Sequence, residues 1–212
     1  FHLTPLGVTV AEFDAVYEAG KTRSPGKVIG YFARLSPEKG FDLAVSAFIE
    51  VAREHPDVRL HVGGWLSEKD RLFFDEQVAK IDAAGLTDRF RHLEAPDGAA
   101  KLEFLKGIDL FTVPARFVEP KGIYVLEAMA CGLPVVAPSR GAFPEMINAS
   151  GGGLLCEPED PSDLAAKLSE LIADPAEAFR HGINGRARVE RFNDRRSMAA
   201  ATAEVFQRVL AE

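Results

Sequence analysis

The stretch that most constrains the fold runs over residues 110–145. It begins with an apolar run, Leu110-Phe111-Thr112-Val113-Pro114. A loop carrying Glu119 and Gly122 follows, then a helical run containing Glu127, and Gly132-Leu133-Pro134 stops that run before the apolar Val135-Val136. This is a strand–helix–strand unit, the building block of a parallel sheet, in which ligands bind at the carboxyl ends of the strands.

The flanking chain repeats the alternation. Residues 27–33 (Lys-Val-Ile-Gly-Tyr-Phe-Ala) predict the first strand, and Leu43, Ala44, Ala47, Phe48, Val51 and Ala52 take the three-four spacing of an amphipathic helix over 41–55. Further strands are expected at 58–63, 90–93, 110–113, 135–137 and 153–156, with helices at 68–84 and 98–106 between them. Pro161 and Pro175 open helices to about 173 and 191, and a last helix spans 195–211; proline suits a first helical turn, where its missing N–H would be unpaired anyway. The pattern predicts an α/β, Rossmann-like, doubly wound parallel sheet. Residues 1–26, with scattered glycine and proline and little periodicity, read as an arm or linker with a short helix near 12–18; 27–194 read as the domain and 195–212 as an appended helix. The turn at 141–145 is placed to close over a bound group.

Composition excludes several classes. A net charge of −7 argues against a nucleic-acid partner, which needs a basic face, so an anionic ligand would require a local basic pocket. No apolar run approaches the length of a membrane span, about 18 residues. Two cysteines, Cys131 and Cys156, are too few for a disulfide framework and point to a reducing compartment, with a cytoplasmic location expected. Nothing in the sequence fixes an oligomeric state.

Arg34 and Lys39 leave the first strand in the turn before a helix, whose start carries free N–H groups and partial positive charge. With Gly40 permitting a tight turn, they make a candidate diphosphate site; Arg forks onto two oxygens and Lys acts as a mobile point charge. Each charge-assisted bond is worth about 1.5–3 kcal/mol, so losing either cation should weaken binding about tenfold or more. The alternative is two solvated surface cations with Glu38 as a local partner. Neither Gly-x-Gly-x-x-Gly nor Gly-Lys-Ser/Thr follows the strand, which counts against dinucleotide and P-loop readings. Gly122 and Ile123 would offer amides at a second helix start. Glu127, one turn in, has the chemistry to take ribose hydroxyls, and within its apolar run it needs a partner. Glu119 has the chemistry to accept hydroxyls of a sugar.

These residues carry a resemblance. Arg34-Leu35-Ser36-Pro37-Glu38-Lys39-Gly40 resembles the Gly-Arg-Leu-x-x-x-Lys-Gly signature of family four retaining glycosyltransferases, and 113–145 resembles their segment with two glutamates seven residues apart, the spacing of Glu119 and Glu127. The resemblance runs in register from about residue 27 to the final helices. It implies a GT-B fold, of which this would be the C-terminal, donor-binding half. It also implies that Arg34 and Lys39 neutralise the diphosphate leaving group, that Gly122 and Ile123 amides assist, that Glu127 holds the ribose, and that Glu119 contacts the donor sugar near the reacting carbon. On the same basis Glu119, Arg34 and Lys39 are the catalytic candidates, and the loop after the third strand, around His92 and Leu93, would contact the base, with His92 itself more structural than ligating. No metal or other cofactor is implied. The donor would be a UDP-sugar first, a GDP-sugar second.

The sequence departs from that pattern at Ala33, Glu94, Ala115, Lys121 and Gly141-Ala142, none of which removes a charged ligand. The chain starts at Phe1, and Pro5 to Val8 resembles a short Pro-x-Gly-Val stretch that follows a whole N-terminal domain in the family, so it reads as a piece of a longer protein: able to bind nucleotide weakly and not to transfer sugar alone, with the acceptor held by an absent N-terminal domain toward which the 195–212 helix would pack. That missing half could touch a membrane. Two other readings stay open: a nucleotide-sugar epimerase of the same architecture, needing further acid–base groups, and a non-catalytic nucleotide-sugar-binding subunit.

Overall fold

The computed structural model describes residues 4–22, 27–94 and 98–211. A 3-10 turn, Val10–Phe13, leads into α1 (Asp14–Thr22), and then strands and helices alternate: β1 (Val28–Phe32), α2 (Phe41–Glu54), β2 (Arg59–Gly64), α3 (Arg71–Ala83), β3 (Phe90–Glu94) and α4 (Gly98–Lys106). The second half runs β4 (Leu110–Thr112), α5 (Ile123–Ala130), β5 (Val135–Pro138), α6 (Phe143–Ser150), β6 (Gly153–Cys156), α7 (Pro161–Ala173), α8 (Pro175–Phe192) and α9 (Arg195–Ala211).

The strands form a six-stranded sheet in the order β3-β2-β1-β4-β5-β6, parallel throughout. The doubly wound α/β expectation therefore holds. The chain travels outward from β1 to β3, returns to β4 beside β1, and travels out the other way to β6. Right-handed crossovers then put α2 and α3 on one face and α5 and α6 on the other, because the direction of travel reverses. Accordingly α2 packs on α3 and α7, whereas α5 and α6 pack on α8. The reversal lies between β1 and β4, and the loops leaving their carboxyl ends diverge there, opening the crevice in which such sheets bind ligands.

Central strands buried on both faces read as continuous apolar runs. Residues 110–113 and 135–137 are buried without interruption, and Ile29, Tyr31, Leu60 and Val62 join them in the core. From α2 come Phe41, Phe48 and Val51, on one helical stripe.

Two expectations are corrected. The described part of the stretch read as an arm is docked: Val8, Val10, Phe13 and Val16 are buried. Val8 also forms a parallel bridge with Asp194, its amide donating to the Asn193 carbonyl (2.8 Å) and its carbonyl accepting from the Arg195 amide (2.9 Å). Four apolar residues spread over nine positions are too sparse for a periodicity argument yet enough to anchor a short segment. Second, residues 141–145, expected as a turn, lead into a helix, α6 (Phe143–Ser150). Pro144 lies in its first turn, where no backbone donor is missed, and Gly151 ends it at φ +61°. The appended helix is present as α9, with none of its described residues buried.

Candidate functional site

Two loops meet at the crevice. The β1–α2 turn is pinned from beneath by Tyr31, whose buried hydroxyl lies 2.9 Å from the Arg34 carbonyl and 3.2 Å from that of Lys39. Burial pushes its ionisation well above the ordinary tyrosine range, so it stays a donor. Gly40 ends the turn at φ +69°, and a Cβ there would lie 2.0 Å from the Pro114 carbonyl oxygen of the β4–α5 loop. The two loops therefore touch at a point where only glycine fits.

Gly40 and Gly122 are the N-cap residues of α2 and α5, and neither helix start has a side-chain cap. At α7 and α8 carboxylates cap the helix start, Asp160 accepting from the Ser162 and Asp163 amides and Asp174 from the Glu177 amide, whereas α3 and α6 also lack a side-chain cap. Capping residues satisfy the donors that every helix start leaves over. At the crevice those donors keep no capping side chain, the condition under which a helix start serves as an anion site.

Across the crevice Lys39 Nζ pairs with Glu119 Oε2 at 2.8 Å. The Tyr124 hydroxyl donates to the same oxygen at 3.0 Å, while the Lys121 and Gly122 amides approach Oε1 at 3.3 and 3.4 Å. Glu119 is buried, 6% exposed. Burial opposes its charge, but the Lys39 contact, the Gly122 amide and Tyr124 together outweigh that and hold the carboxyl below its ordinary value. The Lys39 ammonium also sits over the Phe117 and Tyr124 rings, 4.4 and 4.8 Å from their centroids. The start of the 141–145 turn seats the Glu119 backbone: Ala142 donates its amide to the Glu119 carbonyl at 2.9 Å, and Gly141 lies against it without a side chain.

Glu127 has the partner its apolar surroundings demand. Lys101 of α4 reaches it at 2.5 Å, leaving both side chains partly exposed. Arg34 is exposed at the mouth of the crevice and forms no side-chain ion pair among the described residues. Ile123 opens α5 with its side chain largely exposed.

Of the expected base-contacting loop after the third strand, the two named residues fall within the strand itself. His92 and Leu93 lie within β3 at the sheet edge, two strands from β1. The His92 ring packs on Phe74 of α3, centroids 4.7 Å apart, and burial lowers its pKa below the ordinary histidine value. Leu93 packs against the core. The loop that follows, 95–97, is outside the described residues. A strand position explains this, since side chains there project to the faces of the sheet rather than from its carboxyl edge. Lys39, Glu119, Gly122 and the first turn of α5 are thus brought together, Glu127 follows one turn in, and His92 is not among them.

Tyr124, Lys101 and Arg116 are site residues that sequence reasoning missed. Tyr124 carried a signal: an aromatic with a polar tip five residues after Glu119, in a run otherwise fit for burial. Lys101 and Arg116 carried none, because their partners are distant in sequence. Among the described residues no group of three or more His, Cys, Asp or Glu side chains is placed to hold a metal.

A parallel sheet of this order, with two glycine-started helices facing a cation–carboxylate pair at its switch point, is the Rossmann-like half of a GT-B fold. Sucrose-phosphate synthase from Thermosynechococcus elongatus superposes with a TM-score of 0.83 at 26% identity, over 99% of this chain and 53% of that one. The C-terminal domain of a glycosyl transferase group 1 family protein, LpcC, from Francisella tularensis superposes with a TM-score of 0.75 at 29% identity, over 87% of this chain and 97% of that one.

The family model for glycosyl transferases group 1 matches residues 15–188, and the chain belongs to that family. Among curated relatives, a lipopolysaccharide core biosynthesis mannosyltransferase, LpcC, of Rhizobium leguminosarum bv. viciae is 36% identical over 77% of this chain and 46% of its own length. The chain spans about half the length of the curated relatives it matches.

Proposed function

We propose that this chain is the donor-binding domain of a retaining glycosyltransferase, which moves a hexosyl unit from a nucleoside diphosphate sugar to an acceptor held by a second, N-terminal domain. The observation that carries the reading is the meeting of Lys39 and Glu119 at the β1–β4 switch point, beside two helix starts without side-chain caps. A diphosphate needs positive charge and amide donors, and both are supplied there by Lys39, Arg34 and the first turns of α2 and α5. Glu127, one turn into α5 and anchored by Lys101, is left to take ribose hydroxyls. Glu119, held ionised, accepts from the donor sugar.

In this reading the domain accelerates transfer by stabilising charge on the departing diphosphate and holding the donor against its acceptor, with no side-chain nucleophile. The cations of Arg34 and Lys39 supply the charge that a divalent ion provides in other phosphoryl sites, so the transfer is proposed to run without a metal. The donor base is uridine first, guanosine second. The described part of α9 ends in the exposed apolar residues Phe206, Val209 and Leu210, which suits packing against the N-terminal domain. Cys131 and Cys156 are free thiols, consistent with a reducing compartment, and we place the domain in the cytoplasm, peripheral to a membrane where its N-terminal half makes contact. No helix among the described residues is long and apolar enough to cross a membrane.

Calorimetry with UDP, GDP and ADP and their sugars, on the wild-type chain and Glu127→Ala, tests the proposal. Binding by one nucleotide series, weakened about tenfold in the variant, supports it. A wild-type chain that binds none of them contradicts it.

A further inference from the structure

Arg116 lies in the β4–α5 loop, three residues before Glu119, yet its contacts reach across to the other loop. Its guanidinium grips the Asp42 carboxylate fork to fork, Nη1 to Oδ1 at 2.7 Å and Nη2 to Oδ2 at 2.6 Å. The same Nη1 donates to the Pro37 carbonyl at 2.7 Å, and the Arg116 amide donates to the Glu38 carbonyl at 2.9 Å. All four bonds land on the segment that carries Lys39, on either side of it in sequence. A bidentate pair fixes orientation as well as distance, which a lysine at this position would not.

The clamp is itself braced. Arg140, in the β5–α6 loop, donates Nη1 to the Arg116 carbonyl and pairs through the same nitrogen with Glu159 at 2.8 Å, in the β6–α7 loop. Glu159 is the one non-glycine residue with positive φ, +65°, among those described. Left-handed backbone is unfavourable for a residue with a side chain and persists where its surroundings hold it. Four loops at the carboxyl edge of the sheet are thereby tied in sequence, and Arg116 stands at the centre of the tie.

We propose that Arg116 is a positioning residue of the site: by locking the β1–α2 turn onto the β4–α5 loop, it sets the separation at which Lys39 meets Glu119. The effect on ligand binding rests on the donor-site reading above; the clamp does not. Neither Arg116 nor Asp42 is among the hydrogen-bond partners of the Glu119 carboxylate, which are Lys39, Tyr124 and the Lys121 and Gly122 amides; direct loss of the Asp42 anion would lower the Glu119 midpoint, whereas a displaced Lys39 raises it.

The test reads the Glu119 carboxyl by carbon-13 NMR pH titration in Arg116→Gln, in Asp42→Asn and in the double variant, with circular dichroism to establish folding. The Glu119 midpoint is expected to rise toward the ordinary glutamate value, about 4.3, in each single variant. The double variant should rise no further than either single one, because the two residues form one pair. An unmoved Glu119 midpoint in folded variants, or a fully additive rise, overturns the proposal. If Arg116→Gln does not fold, the near-isosteric Asp42→Asn carries the same test. UDP and GDP affinities measured in parallel should fall about tenfold with the clamp broken; a wild-type chain that binds neither nucleotide counts against the donor-site reading alone, since the titration is read without ligand.

Discussion

Lys39 Nζ and Glu119 Oε2 stand 2.8 Å apart across the crevice although 80 positions separate the two residues in the chain. The pair joins the two halves of the sheet at the point where its winding reverses, and neither residue has another ion-pair partner among the described residues. It is a nearly buried pair, 12% and 8% side-chain exposure, so its geometry matters more than that of any surface ion pair in the chain.

Glu119→Gln is expected to destabilise the fold at neutral pH by about 1.5–3 kcal/mol, the range for hydrogen bonds to charged groups. The sign of its pH dependence follows from the lowered carboxyl pKa in the folded state. Such a group adds stability above its unfolded pKa, and that stability is lost as pH falls through the folded value. The gap between wild type and Glu119→Gln in urea unfolding should therefore be widest near neutrality and narrow as the solution is acidified below the ordinary glutamate range. A gap that stays constant with pH would contradict the ionised pair.

Gly40→Ala places a methyl group 2.0 Å from the Pro114 carbonyl oxygen at a φ of +69°. Both terms oppose the substitution, and a loss of about 1–3 kcal/mol is expected from backbone strain alone. Thermal unfolding should show it, and Gly85→Ala provides the control. That residue has the same left-handed backbone, φ +70°, with open space where the Cβ would go. Gly40→Ala should cost clearly more than Gly85→Ala.

Lys101→Met leaves Glu127 half-buried without its cation while keeping the aliphatic stem near Phe32. A loss of about 1–2 kcal/mol is expected, below the cost of breaking a fully buried pair because both groups keep some solvent. Nucleotide affinity should fall with it, since Glu127 is then free to swing from its place on α5. Unchanged affinity would mean that Lys101 plays no part in orienting Glu127.

Both thiols should be inert in the native protein. Burial pushes the Cys131 and Cys156 pKa values up to about 12. At pH 8 neither carries appreciable thiolate, the reactive form. Ellman's reagent is expected to label them only in denaturant; rapid native labelling would contradict their burial.

Much of the fold was legible because its strands and helices repeat their own signals. Pro161 and Pro175 mark true helix starts, and the apolar runs at 110–113 and 135–137 become β4, which borders the switch point, and its neighbour β5. The helix α6 escaped because Phe143-Pro144 reads as a turn until the docking of Phe143 and Ile147 in the core gives the segment a reason to be helical. The site was legible in part for the same reason. Lys39, Gly122 and Glu119 sit at element boundaries, where sequence grammar is strong. Arg116 and Lys101 are ordinary surface-type cations until the fold brings Asp42 and Glu127 beside them, at separations no periodicity reaches. His92 illustrates the converse: a chemically versatile residue next to a loop, whose strand position turns it against Phe74.

Everything proposed for the site depends on Lys39 serving a diphosphate. Calorimetry of the wild-type chain and Lys39→Ala against UDP and UMP, or GDP and GMP if guanosine binds more tightly, tests it most directly. Lys39→Ala is predicted to weaken the diphosphate about tenfold or more while leaving the monophosphate nearly unchanged. Equal losses for both nucleotides, or no loss for either, would contradict it.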